Sequence, residues 1–288
     1  QQSIFLTGSS GLIGSRLLID LNNLNYNFFC ISSSLSIPEK NIYSYEDMLL
    51  GKVSQSIACI IHLASLNSNI SEEDIPLEIE ITKNVIRGMS IMGCKKIIFF
   101  STSKVYGDNS FADELFSEIS PLNPSCSYSK AKAECENLIS KSANNMDFSF
   151  LIFRVSPVLI NDPSSTIGKL FEFIEKGIPI PSFKVGDSNL RSFVSYEFIY
   201  SVVAAALTAG PHVHNSTFNL SNIQAISTNG LFRMMALNVK KNARIIYFPN
   251  FIFKAMSKVN RLQLILCRLY GNFNMSNIKL LENFDLKS

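Results

Sequence analysis

The stretch Thr7-Gly8-Ser9-Ser10-Gly11-Leu12-Ile13-Gly14 lies between the apolar run Ile4-Phe5-Leu6 and a helical pattern that continues through Leu17 and Leu18. Three glycines at this spacing let a strand turn tightly into a helix. They also let the backbone come close to a pyrophosphate, which then lies against the helix N-terminus. Because strand, turn and helix follow one another directly, the stretch predicts a dinucleotide-binding loop.

Apolar runs that resemble buried strands alternate with helical patterns over the first half of the chain. The predicted helices lie near residues 11–24, 74–93 and 127–144. Several runs are apolar at nearly every position, as expected for a sheet covered on both faces. The pattern predicts an α/β fold with a doubly wound, parallel sheet of the Rossmann type. The predicted strands are Ile4–Thr7, Asn27–Ser32, Ala58–Leu63, Lys96–Ser101 and Ser149–Arg154.

The pattern changes after Arg154, and we predict two domains. Residues 1–155 form the dinucleotide-binding domain, and residues 156–288 form mainly a smaller substrate-binding lobe. Elements from about 190 to 220 are expected to pack back onto the first domain, because a short strand is predicted at Thr217–Leu220. Further helices are predicted near 166–176, 195–209 and 227–238.

The tail from Phe248 to Tyr270 is apolar and helical, with four basic residues spaced along it. One interpretation is a core helix of the second lobe, and the other is a helix that lies on a membrane surface. We favour the core helix at this point. The basic residues are Lys254, Lys258, Arg261 and Arg268.

Composition excludes several classes of protein. The net charge is only +3 in 288 residues, with acids and bases mixed, which argues against a nucleic-acid surface. Six cysteines without a CxxC pair indicate reduced thiols rather than a disulfide framework. The pair His212 and His214 has no carboxylate or thiol nearby, so no metal site is predicted. Neither a signal peptide nor a bilayer-length apolar run is visible, and we expect a cytoplasmic protein.

A hydroxyl, a phenol and an amine form the candidate catalytic group. Tyr128 and Lys132 are four residues apart on a predicted helix, so they share one face. A nearby ammonium favours the phenolate and is expected to lower the pKa of the tyrosine. Thr102 follows the strand that ends near Ser101, and parallel sheets present functional groups at the carboxyl ends of their strands.

Several motifs together resemble the extended short-chain dehydrogenase/reductase family, specifically its NAD-dependent epimerase/dehydratase group acting on nucleotide sugars. Residues 7–14 match the TGxxGxxG loop of that family, and Ser101–Asp108 resembles its SSxxVYGD stretch. The likeness covers most of the chain and is most specific in the first half. Other matching segments are Ile61-His62-Leu63-Ala64-Ser65, Thr82-Lys83-Asn84, Tyr128 with Lys132, Glu136, Arg191-Ser192-Phe193-Val194 and Phe218-Asn219-Leu220.

The resemblance implies a set of site residues and a mechanism. Thr102, Tyr128 and Lys132 are the implied catalytic residues, and Thr102, Ser103 and Arg191 are the implied substrate contacts, with Arg191 on a diphosphate. Tyr128 would exchange the proton of a sugar hydroxyl while a hydride passes to or from the nicotinamide. The implied cofactor contacts are Gly8, Ser10, Gly11, Leu12, Ile13, Gly14, Ser32, Leu63, Ala64, Ser65, Tyr128 and Lys132.

The chain also departs from the family pattern. Glu78 stands where the family usually has an asparagine. The acidic residue that holds the adenosine ribose after the second strand is replaced by Ser32, Ser33 and Ser34, with Lys40 as a further candidate contact, so the cofactor is NAD or NADP. Family dehydratases carry Asp-Glu after the catalytic threonine. Ser103 and Lys104 occupy those places here, which argues against a dehydratase.

The resemblance leaves three functions open. The form Arg191-Ser192-Phe193-Val194 resembles a bacterial subgroup linked to surface-polysaccharide synthesis, which includes both 4-epimerases and 4-ketoreductases. Of these we favour a nucleotide-sugar 4-epimerase acting on a UDP-hexose or UDP-N-acetylhexosamine. The alternatives are a nucleotide-sugar 4-ketoreductase and a non-catalytic NAD(P)-binding regulator. Family members often form homodimers through the helices at 74–93 and 127–144. Apolar residues there offer such a surface, or else face their own sheet: Ile79, Val85, Ile86, Met89, Leu138 and Ile139.

Overall fold

The computed structural model describes residues 2–24, 26–31, 41–53, 55–66, 69–163 and 165–286. The strands are β1 (Ser3–Thr7), β2 (Asn27–Ile31), β3 (Ile42–Tyr43), β4 (Ile57–His62), β5 (Lys96–Thr102), β6 (Leu115–Phe116), β7 (Ser149–Val155), β8 (Val158–Leu159), β9 (Ile180–Ser182), β10 (Arg191–Ser195), β11 (Ser216–Leu220), β12 (Ile223–Ile226), β13 (Ile245–Tyr247) and β14 (Asn274–Met275). The helices are α1 (Gly14–Leu21), α2 (Tyr45–Leu49), α3 (Ile75–Ile91), α4 (Ser127–Met146), α5 (Thr166–Glu175), α6 (Tyr196–Thr208), α7 (Thr228–Asn238), α8 (Asn250–Met256), α9 (Asn260–Tyr270) and α10 (Ile278–Asn283).

The main sheet has seven strands in the order β11-β7-β5-β4-β1-β2-β3, and each neighbouring pair is parallel. The chain moves outward from β1 in one direction and then, from β4, in the other. The strand order therefore reverses between β1 and β4, where the carboxyl ends of the strands open a crevice. The predicted α/β, doubly wound Rossmann sheet is confirmed.

Two apolar cores cover the faces of this sheet, because successive strand residues point to opposite sides. Ile4 and Leu6 of β1 belong to the core shared with α1, α6 and α10. Phe5, between them, belongs to the core shared with α2, α3 and α4. Burial on both faces explains why these strands read as continuous apolar runs.

The second lobe is built from small sheets and the later helices. One sheet has the order β12-β10-β8, and the pairs β13-β9 and β14-β6 form two more. α5 and α7 pack around Phe193 of β10 in one small core, and α8 and α9 contribute to another around Phe183. β11 nevertheless pairs with β7 in the main sheet. The domain boundary at 155 stays a prediction.

Local details differ from the sequence interpretation. α1 begins at Gly14 rather than near residue 11, because Gly11 donates its N–H to the carbonyl of Gly8 and closes a turn first. The short elements β3 and α2 were not predicted. The apolar tail is not one core helix but two helices, α8 and α9, separated after Met256.

The residues proposed as an apolar dimer surface face the sheet of their own chain. Val85, Ile86, Met89 and Ile139 are all buried in the core beneath α3 and α4. Ile79 and Leu138 are partly buried against the same core. These six residues therefore do not offer an exposed apolar face, and the homodimer itself stays a prediction.

Candidate active site

A cavity of about 600 Å³ lies at the carboxyl ends of β1, β4, β5 and β7. It occupies the crevice where the strand order reverses, the usual position of a ligand in such sheets. Most of the predicted site residues meet here. Those that line this main cavity are Gly8, Gly11, Leu12, Ile13, Gly14, Leu63, Ser65, Thr102, Ser103, Tyr128 and Lys132.

Some predicted residues do not line the main cavity. Ser10 is exposed, and the Ala64 nitrogen donates a hydrogen bond of 3.2 Å to Thr7 Oγ1 at the end of β1. Arg191 lines a neighbouring cavity instead. Ser32, predicted to contact the adenosine ribose, lies outside the described residues, as do Ser33, Ser34 and Lys40.

The glycines of the first turn are required by close backbone contacts. Gly8 has φ +76°, and a Cβ there would lie 2.7 Å from the Ala64 nitrogen. A Cβ on Gly14 would lie 2.1 Å from the Gly8 carbonyl oxygen. A Cβ on Gly11 would meet only the Gly8 carbonyl oxygen, at 3.3 Å. Gly11 also lines the cavity. The turn therefore presents bare backbone to the crevice, as a pyrophosphate requires.

Thr102, Tyr128 and Lys132 come from two elements that meet at the cavity. Thr102 ends β5, and its Oγ1 accepts a hydrogen bond of 3.3 Å from the Lys104 nitrogen. Tyr128 lies in the first turn of α4, and Lys132 follows one turn later. The Lys132 Nζ atom is 5.9 Å from the centre of the Tyr128 ring, although the lysine is almost fully buried.

Glu78 is a site residue whose role could not be predicted from the sequence. Its Oε1 atom is 3.1 Å from Lys132 Nζ, and the carboxylate is 1% exposed. Ser65 Oγ donates to Oε1 at 2.7 Å, and the Leu66 nitrogen donates to Oε2 at 2.8 Å. The departure from the family asparagine therefore places a second, opposite charge beside the proposed catalytic lysine.

Burial and Glu78 together change the electrostatics of the phenol. Desolvation raises the pKa of Tyr128, the Lys132 ammonium lowers it, and the Glu78 carboxylate raises it again. Lys132 lowers the pKa of Tyr128 as expected, but burial and Glu78 outweigh it, so the net direction is upward. Burial opposes the charge on Lys132, but its interactions with Tyr128 and Glu78 outweigh burial and raise its pKa.

A buried chain of hydrogen bonds fixes the floor of the site. His62, at the end of β4, bonds through Nδ1 to Thr7 Oγ1 at 2.7 Å and through Nε2 to Thr82 Oγ1 at 3.1 Å. Thr82 Oγ1 donates to Cys135 Sγ at 3.2 Å, so it accepts from His62. Burial lowers the pKa of His62 to about 3 and keeps it neutral. This chain joins β1, β4, α3 and α4 beneath the cavity.

A second buried network lies behind Thr102. Arg154 of β7 holds Glu136 of α4, with Nη2 to Oε2 at 2.7 Å and Nε to both oxygens at 3.2 Å. Ser101 Oγ donates to Glu136 Oε1 at 2.5 Å. Arg154 Nη1 also donates to Tyr106 Oη, which donates to Asn219 Oδ1. The network fixes β5 against α4, and with it the place of Thr102 relative to Tyr128.

A second cavity of about 360 Å³ adjoins the main one, and Ser103, Lys104 and Pro157 line both. Arg191, at the start of β10, and Arg268, near the end of α9, supply two further cations. Desolvation lowers the pKa of Arg191. Guanidinium groups in such a cavity suit a diphosphate. Arg268 was predicted only as part of the tail helix and not as a site residue. It lies far from Arg191 in the chain, and the two meet only in the fold.

The two cavities can therefore hold two ligands next to each other. The main cavity combines exposed backbone at a helix N-terminus with a hydroxyl, a phenol and a paired ammonium. The second cavity combines cationic side chains with space for a further group. A dinucleotide in the first and a diphosphate-linked substrate in the second fit these donors.

Comparisons with known proteins identify the family and the fold of this chain. The model of the NAD-dependent epimerase/dehydratase family matches residues 4–221. A UDP-glucose 4-epimerase from Vibrio cholerae is 23% identical over 295 residues, covering 95% of this chain and 87% of the relative.

Solved structures show the same fold. UDP-glucose 4-epimerase from Thermotoga maritima, solved with UDP-glucose, superposes with a TM-score of 0.74 at 18% identity, covering 98% of this chain and 92% of the other. UDP-N-acetylglucosamine 4-epimerase from Bacillus cereus gives 0.75 at 16% identity, covering 86% and 85%. UDP-glucuronic acid 4-epimerase from the same species, solved with NAD, gives 0.75 at 19% identity, covering 99% and 91%. The family model matches most of the length of this chain, and the chain therefore belongs to the NAD-dependent epimerase/dehydratase family.

Proposed function

We propose that the protein is an NAD(P)-dependent nucleotide-sugar 4-epimerase that acts on a UDP-linked hexose or N-acetylhexosamine. The observation that carries the proposal is the meeting of Thr102, Tyr128 and Lys132 around one cavity whose opposite wall is the glycine turn. The relatives support the choice of reaction, since the Vibrio cholerae protein is a 4-epimerase similar over nearly the whole chain.

The cofactor is proposed to lie along the glycine turn, where Gly8, Gly11 and Gly14 leave the backbone bare. When bound, its nicotinamide accepts a hydride from the sugar and returns it. Lys132 is placed to meet the nicotinamide ribose, and Leu63 and Ser65 line the same wall. The choice between NAD and NADP depends on the segment after β2 and stays open.

The residues of the chain supply positioning and proton transfer. Tyr128 takes the proton from the sugar 4-hydroxyl and returns it when the opposite alcohol forms. Thr102 donates a hydrogen bond to the same oxygen through the ketone stage. Arg191 and Arg268 are proposed to hold the diphosphate, so the sugar extends from the second cavity toward Tyr128. Ser103 and Lys104 line both cavities and supply no carboxylate for a dehydration.

One observation favours a second candidate, a 4-ketoreductase. Burial and Glu78 raise the pKa of Tyr128, which favours a protonated phenol that donates to a ketone. Such an enzyme would consume one reduced cofactor for each alcohol formed. The cytoplasmic location expected from the sequence is compatible with both reactions.

Turnover with UDP-sugars separates the candidates. Purified protein is mixed with UDP-glucose or UDP-N-acetylglucosamine and a catalytic amount of NAD, and the products are resolved by chromatography. An epimerase forms the 4-epimer with no net change in the nicotinamide absorbance. Stoichiometric oxidation of NADPH or NADH by a 4-ketosugar nucleotide instead identifies the reductase. Dinucleotide binding without turnover of any nucleotide sugar contradicts both and favours the regulator.

A further inference from the structure

The tail of the second lobe presents an exposed, basic and apolar surface. α8 has no buried residue, and α9 buries only Leu266 and Tyr270. Both helices pack one side onto the small core around Phe183. The opposite side of each helix is exposed to solvent, so the expectation of a core helix at 248–270 is wrong.

The exposed residues of α9 form a stripe at helical spacing. Arg261, Leu264, Ile265, Arg268 and Leu269 are all exposed, at positions i, i+3, i+4, i+7 and i+8. Leu264 is 60% exposed. On the inward side Leu266 and Tyr270 are buried in the core around Phe183, and Leu262 is partly buried. A second apolar stripe directed outward is not explained by the fold of this chain.

α8 repeats the arrangement one helix earlier. Phe253 contacts the rings of Phe183 and Tyr270 on the packed side. Phe251 and Lys254 lie on the exposed side three residues apart, Lys258 follows in the exposed turn after the helix, and Phe251 is 70% exposed. A large aromatic ring flanked by lysines in solvent is typical of a helix that lies on a lipid interface.

Charge is segregated toward this part of the chain. Nine lysines and arginines and not one acidic residue lie between Glu197 and Glu282. The chain as a whole has 26 basic and 23 acidic residues, so the rest of it is net negative. A basic and apolar face complements an anionic bilayer better than an ordinary protein surface, since lysines bind lipid phosphates while aliphatic chains enter the interface.

We propose that α8 and α9 dock the protein on the surface of an anionic lipid bilayer. The docking surface is defined as Phe251, Lys254, Lys258, Arg261, Leu264, Ile265 and Leu269. It does not span the membrane: no helix in the described part of the chain combines the length and the apolar character needed to cross one. The docking does not depend on the proposed sugar chemistry. It places the second cavity close to the bilayer, because Arg268 of α9 lines that cavity.

Vesicle flotation tests the proposal directly. The full chain is mixed with vesicles of phosphatidylcholine alone or of phosphatidylcholine with phosphatidylglycerol. We expect binding only to the anionic vesicles, and weaker binding as salt rises from about 0.1 to about 1 M and the Debye length falls from about 10 to about 3 Å. A wild-type protein that stays with the aqueous fraction at low salt overturns the proposal.

Two variants separate the charged and apolar contributions. K254Q/K258Q is expected to weaken partition into anionic vesicles roughly 30-fold, because each lysine near such a surface contributes a factor of about five. F251S/L264S is expected to weaken partition about 10-fold or more, with little further dependence on salt. None of these four residues lines either cavity, so UDP-sugar turnover is measured as the folding control.

K83Q/K141Q is the matched control, since it removes the same charge from exposed positions on α3 and α4. It is expected to bind vesicles like the wild type. An equal loss in this control shows that net charge alone drives binding and overturns the docking surface. Self-association of the wild type that F251S/L264S abolishes, without any vesicle binding, also overturns it and assigns the face to contact between copies of this chain.

Discussion

Two buried charged side chains lie one turn apart on α4, and each has a buried partner of opposite charge. Glu136 is paired with Arg154, and Lys132 with Glu78. The first pair is enclosed: both Glu136 oxygens contact Arg154, and Ser101, Tyr106 and the Glu118 carbonyl complete the network. The second pair stands at a cavity wall, since Lys132 also faces the main cavity.

The difference separates a structural ion pair from one proposed to act in the reaction. A buried pair is stable when every donor and acceptor is satisfied, and removing one partner then leaves an uncompensated charge. A pair that lines a cavity can exchange contacts with a ligand, and its charge reaches nearby titrating groups. We therefore expect changes to the first pair to alter stability, and changes around the second to alter turnover.

The largest effect is expected from Tyr128→Phe, which removes the proposed acid and base next to Lys132. Turnover of a UDP-sugar should fall about 10²–10⁴-fold, the usual contribution of such a group. Dinucleotide affinity, measured by calorimetry, should change little, since the ring and Lys132 remain. Tyr200→Phe on α6, which lines neither cavity, is the control. Near-wild-type turnover by Tyr128→Phe contradicts the assignment.

The enclosed pair gives the largest expected effect on stability. Arg154→Met leaves Glu136 buried without its cation and should lower the free energy of unfolding by about 3–5 kcal/mol. Arg87→Met removes an arginine that pairs with Glu80 on the surface of α3, and it should cost less than about 1 kcal/mol. Chemical denaturation measures both. Similar losses in the two variants would remove the distinction between enclosed and exposed pairs.

The same contrast shows what the sequence could reveal. The glycine turn, the long apolar strands and the spacing of Tyr128 and Lys132 are local patterns, and the fold predicted from them is confirmed. Glu78 was recognised as a departure, but its partner is 54 residues away in the chain and the contact depends on how α3 packs on α4. The prediction of a core helix in the tail was wrong for another reason. α9 is apolar on two sides, and periodicity cannot show which side is covered.

A smaller effect is expected where the hydrogen-bonded chain under the cavity is broken. Thr82→Val removes the acceptor of His62 and leaves its Nε2–H buried without a partner. The free energy of unfolding should fall by about 1–3 kcal/mol. Thr208→Val, at an exposed position of α6, should be nearly neutral. A Thr82→Val protein as stable as the wild type would show that His62 is satisfied without Thr82.

The pair at the cavity wall, Lys132 with Glu78, gives the smallest change in rate at neutral pH and the most specific change in pH profile. In Glu78→Gln the side chain keeps its volume and loses its charge. The carboxylate raises the pKa of both Tyr128 and Lys132, so its loss should lower both. The pH at which turnover changes with the protonation of Tyr128 should move downward, while turnover at neutral pH changes by no more than about 10-fold.

A stability readout separates this effect from simple damage to the fold. The raised pKa of Lys132 means that its pairing stabilises the folded state below the ordinary lysine pKa and that this contribution is lost as pH rises through the raised value. Glu78→Gln should therefore lose less stability than the wild type over that alkaline range. Glu80→Gln, two residues along α3 and exposed to solvent, makes the same chemical change without reaching Lys132 and should leave both curves in place. An unshifted pH profile in Glu78→Gln would make Glu78 a purely structural partner and give the two buried ion pairs of α4 the same role.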